Sequence, residues 1–256
     1  MPSAVELAKE YGDDLQVILV ECQNTGDLET ERFTWDKGWM GGPAMWSSER
    51  PMNAGMDGIP HYVLLGNDGT VLSKGYSVAD KSKVEDLIAE QVKARGDAPD
   101  DAPKSLKKAY AEFAKGKYQK AIEVAEKAIE KGDDVDAARQ LIDSLTLKME
   151  RRLQLIERQL GAGEAVLAKA NFEAFVDAAR GVDAVADQIA TLTETFDSEE
   201  TKREIEADET LQRTLKKAFD DGIDSKTAKK LEKLAEDYAG TKCAERAKHL
   251  ATLVVE

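Results

Sequence analysis

Cysteine, histidine and proline are scarce in this chain of 256 residues, which holds two Cys, two His and six Pro. Each shortage excludes something. Cys22 and Cys243 stand 221 positions apart, so the chain has neither a disulfide scaffold nor a Cys-X-X-Cys pair. His61 and His249, far apart and without a Cys cluster, do not make a zinc site, and no metal is expected. A Walker loop, a G-x-G-x-x-G and a G-x-S-x-G are all missing, so no cofactor is expected and no nucleophile motif is present. No apolar run approaches the ~20 residues of a membrane span, and the N-terminus has no signal-peptide pattern. Basic residues are outnumbered, 36 Lys and Arg against 50 Asp and Glu for a net charge of −14, which argues against nucleic acid as a partner.

What is present changes in character near residue 97. All three Trp and all six Pro lie at or before Pro103, while charge is shared evenly, −7 on each side of that point. The Asp- and Pro-rich stretch Gly96–Ser105 has no apolar period and reads as a solvated linker. The division expected is therefore a domain over 1–96, a linker over 97–104 and a second domain over 105–256.

In the first domain, Val5, Ala8 and Tyr11 share a helical stripe, with Ser3 as N-cap and Gly12 as stop. Leu15–Cys22 is an aliphatic run that suits a strand buried on both faces of a parallel sheet. A short helix is expected over Asp27–Trp35, then a long Gly-, Pro- and Met-rich loop to Asp57. Two apolar runs flank Asn67-Asp68-Gly69, a hairpin signal, and a helix over Asp80–Arg95 buries Val84, Leu87, Ile88, Gln91 and Val92. After Pro103 every segment reads as helix, with breaks at Gly116, Gly161/Gly163, Gly181, Gly222 and Gly240.

The stretch DGIPHYVLLGNDGTVLSKGYS resembles the part of TlpA/ResA-type thioredoxin-like proteins that holds the cis-proline and the hairpin after it. Met1-Pro2-Ser3-Ala4-Val5-Glu6-Leu7 is similar to the start of the family's first helix. The resemblance covers about 90 residues. It implies an α/β domain of thioredoxin type, incomplete at its N-terminus and without the central strand and Cys-X-X-Cys that precede this helix in the family. It further implies a cis Ile59-Pro60 bond facing the active-site region, a place outside the cytoplasm, and a thiol-disulfide oxidoreductase ancestry whose redox motif is lost from this chain by truncation. The alternative is a non-catalytic thioredoxin-fold scaffold. In the all-α half, Ala109, Gly116, Tyr118, Ala121, Ala125 and Ala128 resemble the small and aromatic spacing of a tetratricopeptide repeat. Hairpins of divergent spacing are expected at Asn171-Phe172 with Ala178-Ala179 and at Tyr238–Thr241 with Ala244 and Ala247, which implies a TPR-like module docking protein partners.

The residues open to a functional reading are few. Ile59 and Pro60 face the active-site region by resemblance. His61 either joins them or is one alternate residue on a strand. Trp35, Trp39 and Trp46, with Met40 and Met45, either form a peptide-contact surface or cover the sheet in place of a regular helix. Cys22 reads as a small apolar side chain at the end of a buried strand, Cys243 as another on the last helix. Asp13-Asp14, Asp100-Asp101 and Asp133-Asp134 read as turn and cap residues. Catalytic residues are not assigned.

Overall fold

A computed structural model of the chain describes residues 2–39, 44–49, 52, 55, 58–66, 69–76, 81–94, 98–99 and 102–254. The chain divides between residues 95 and 96 into two units. Of the expected linker over 97–104, residue 97 and the Asp100-Asp101 pair lie outside the described residues. Within it the Ala102 N–H donates to the Pro99 carbonyl at 2.9 Å.

The first unit opens with helix α1 (Pro2–Tyr11). Proline is at home in a first turn, where its missing N–H is not needed, so the helix begins before Ser3 and Ser3 is not its cap. Val5 and Ala8 are buried beneath Val17, Leu19 and Trp39. Strand β1 (Val17–Val20) pairs in parallel with β2 (Ala44–Ser47), matching Ile18 to Met45 and Leu19 to Trp46. Side chains alternate across a strand, so the face holding Val17 and Leu19 meets α1 while Ile18 and Met45 share the other face, 47% and 52% exposed. The expectation of a strand buried on both faces is thus corrected: α1 covers one face only. The long loop is corrected too, since it contains β2.

Between these strands runs helix α2 (Asp27–Asp36). Ile59-Pro60 is a cis peptide, and it leads into β3 (His61–Leu65), which pairs antiparallel with β4 (Val71–Tyr76). The hairpin's Asn67 and Asp68 fall outside the described residues, and Gly69 has φ +81°. Helix α3 (Lys81–Ala94) follows, with Ile88 buried. Among the described residues the four strands make two separate two-stranded sheets.

The second unit is helical. Helices α4 (Lys107–Ala114) and α5 (Tyr118–Lys131) turn at Gly116 and pack with α6 (Val135–Gly161) around Leu106, Ala109, Ala121, Ala125, Ala128, Leu141 and Leu145. Alanines at the crossing let the helices approach closely. A second core joins α5 and α6 to α7 (Ala165–Ala178) and α8 (Ala186–Asp197) through Tyr118, Met149, Leu153, Phe172, Phe175 and Phe196. The unit ends with α9 (Glu199–Asp221), α10 (Ser225–Asp237) and α11 (Lys242–Leu253). Their starts carry the expected chemistry: Ser198 and Thr241 accept N–H bonds as caps, and Asp224 with Thr227 forms a capping box.

Candidate functional site

The residues singled out in the first unit fall on different elements. Trp35, near the end of α2, is fully buried and presents no surface. Trp39 is half-buried, packs on the Val5/Ala8 core and meets the Phe33 ring edge-on at 5.4 Å. Trp46, also half-buried, sits beside Leu19 on β2. Met45 is exposed on the opposite face, and Met40 lies outside the described residues.

Ile59, Pro60 and His61 come together at the entrance to β3, in a different sheet from Trp46. Ile59 and Pro60 are exposed. His61 is half-buried and pairs across the hairpin with Tyr76. Its Nδ1 lies 2.8 Å from the Gly58 carbonyl oxygen. That oxygen only accepts, so Nδ1 is the donor of this bond. Gly58 in turn lies against Tyr76: a Cβ there would come within 3.0 Å of its ring. Among the described residues the resulting patch is apolar and aromatic with one imidazole edge.

The two thiols sit in different settings. Cys22 lies two residues beyond the end of β1 and is half-buried, a correction to the expected buried strand end, because the strand stops at Val20. Cys243 is free and fully buried at the second residue of α11. A helix N-terminus ordinarily lowers a thiol pKa. Here burial reverses that, and the carboxylates of Asp208 and Glu204 add to it, so the Cys243 thiol is pushed up to about 12.

Those two carboxylates are the polar groups that the sequence reading missed. Glu204, 8% exposed, and Asp208, 1% exposed, stand one turn apart on the buried side of α9, in line with Ala207 and Leu211. The N–H groups of Lys242 and Cys243 donate to Glu204, at 2.9 and 2.6 Å. The Val166 N–H donates to Asp208 at 2.9 Å, as does Gln212 Nε2 at 3.2 Å. One helix thus supplies anionic caps to the N-termini of both α7 and α11. Arg246 completes the knot by donating to the Gly163 carbonyl at 3.0 Å. Gly163 has φ +74°, and a Cβ there would lie 3.0 Å from the Cys243 nitrogen, so only glycine fits this crossing. Burial pushes the Asp208 carboxyl above its usual range, against the lowering by the Val166 N–H, the Arg246 charge and Gln212. Acidic residues within an otherwise apolar helical stripe are a signal the sequence does carry. The group ties α9 to the starts of α7 and α11. No cluster of three or more His, Cys, Asp or Glu fit to hold a metal ion occurs among the described residues, and no described helix is long and apolar enough to cross a membrane.

Comparison with protein families, with curated proteins and with solved structures finds no match to this chain.

Proposed function

We propose that the chain is a thioredoxin-like module of TlpA/ResA type joined to a TPR-like helical module, and that it works by binding protein rather than by exchanging thiols. The order α1, parallel pair β1·β2, Ile59-Pro60, hairpin β3·β4 and α3 supports the first half of this reading. The α4/α5 helical hairpin with its buried alanines supports the second. The observation that carries the non-catalytic reading is the state of the thiols. Exchange needs an accessible thiolate and a resolving partner. Cys243 is sealed and its thiol held protonated, and Cys22 has no second cysteine near it in sequence.

Insulin reduction driven by dithiothreitol tests this on the chain as given, on Cys22→Ser and on the double variant Cys22→Ser with Cys243→Ser. All three are expected to give the same rate as dithiothreitol alone. Turnover by the unaltered chain that disappears in Cys22→Ser overturns the reading and makes Cys22 a nucleophile.

A further inference from the structure

In a chain of charge −14, residues 104–131 carry eight Lys against four Glu, and all eight lysines are exposed. Three of them, Lys115, Lys117 and Lys120, surround the turn between α4 and α5. Lys115 Nζ lies 3.4 Å from Glu112 Oε1. Partial removal from water raises the Glu112 carboxyl, yet the Lys115 hydrogen bond and the charges of Lys115, Lys117 and Lys120 outweigh that and leave it below its usual range. Three ammonium groups therefore bear on one point.

Helix α6 brings two more cations to the same place. Phe113 and Tyr118 stack with their centroids 4.6 Å apart. Lys148 Nζ sits 5.7 Å from the Phe113 centroid, and Arg152 Nη1 donates to the Tyr118 hydroxyl at 3.0 Å. Both stems are held by the rings, so their ordering is partly complete before anything binds. Ordinary solvated lysines are spread out and unattached. Here Lys148 and Arg152 of α6 engage the Phe113–Tyr118 pair, while Lys115, Lys117 and Lys120 bear on Glu112, the residue next to Phe113.

We infer that the α4–α5 turn, with Lys148 and Arg152 of α6, is a docking surface for a short acidic segment of a partner protein. The inference rests on the protein-binding reading above and names the chemistry of the partner. Screening at physiological salt acts over ~8 Å, so a short segment laid on this turn feels the five local cations rather than the charge of the whole chain. A long polyanion extends beyond that range and meets the acidic remainder, which disfavours nucleic acid.

The test is fluorescence anisotropy of the full chain with a short fluorescein-labelled peptide of alternating Glu and Ala, at low and at physiological salt. Binding is expected, and it should weaken by about tenfold when Lys115→Gln, Lys117→Gln and Lys120→Gln are combined, three lost surface charge pairs of modest strength each. Lys148→Gln should weaken it less. A matched control, Lys229→Gln, Lys230→Gln and Lys233→Gln on the exposed face of α10, should leave it unchanged. Circular dichroism confirms that each variant is folded. Three results overturn the inference: no binding at low salt, an equal loss in the α10 control, or labelled oligothymidylate bound as tightly as the peptide. Failure here with an inactive chain in the insulin assay removes this surface alone, whereas insulin turnover removes the reading beneath it.

Discussion

Asp208 shows how one residue trades burial against hydrogen bonding. Its carboxylate accepts the Val166 N–H inside the helical unit, yet desolvation wins and its folded pKa lies above the unfolded value. For an acid the sign follows directly. The stabilising contribution is complete below the unfolded pKa, near 4, and is lost as pH rises through the folded value, because the buried form prefers to keep its proton. Asp208→Asn keeps an acceptor for Val166 and has no charge to bury, although it gives up the attraction to Arg246. Urea unfolding at pH 4 and pH 7 should therefore show the variant gaining relative to the unaltered protein as pH rises. The opposite trend would mean that the ionised hydrogen bonds and the Arg246 charge outweigh desolvation.

At the scale of elements, α9 reaches its neighbours through buried carboxylates as well as through apolar side chains. Its Glu204 supplies both oxygens to the first N–H groups of α11, donors that a helix start cannot satisfy internally. Thr241 adds the local cap, accepting the Ala244 N–H at 3.0 Å. Removing the remote cap leaves two N–H groups without the carboxylate, one of them on fully buried Cys243. Hydrogen bonds to a charged group contribute about 1.5–3 kcal/mol each, and a buried unpaired donor costs about 1–3 kcal/mol. Glu204→Ala is accordingly expected to destabilise the protein by about 3 kcal/mol in chemical denaturation, with Glu204→Gln less affected because one oxygen remains. A loss under about 1 kcal/mol would show that α11 is held by Thr241 and its apolar face alone.

At the scale of the whole molecule, the two units differ in how they reach stability. The helical unit has apolar clusters of its own, among them those drawn from α4 to α8. Among the described residues the first unit has a small core on α1 and sheets of two strands each, a size that gains little by itself. A fragment spanning residues 102–256 should hence keep a cooperative thermal transition, and its melting temperature should lie within a few degrees of the transition that the same residues show in the full chain. Differential scanning calorimetry of both reads this out. A fragment without a cooperative transition would show that the division between residues 95 and 96 is not a folding boundary.

The helical half was almost wholly legible, for a local reason. Period-3.6 apolar stripes and glycine breaks at Gly116, Gly161/Gly163, Gly181, Gly222 and Gly240 act within a few residues of the helix they define. The hairpin β3·β4 and helix α3 were legible for the same reason. Strand β2 was not: Ala44–Ser47 is four residues long, and only its parallel pairing with β1 makes it a strand. The exposure of Ile18 was not legible either, because an aliphatic strand carries no record of whether one face or two will be covered. Trp35 and Trp39 lie four residues apart in one segment, yet one is sealed and the other half-open, which is decided by what packs over α2. Glu204 and Asp208 stood in an apolar stripe, but their partners are 38 and 42 residues away in sequence. Composition and periodicity by themselves determined the helices and the lack of a Cys-X-X-Cys pair in this sequence. The tertiary structure alone decided which carboxylates are buried and which lysines converge, since burial and electrostatic potential depend on neighbours in space.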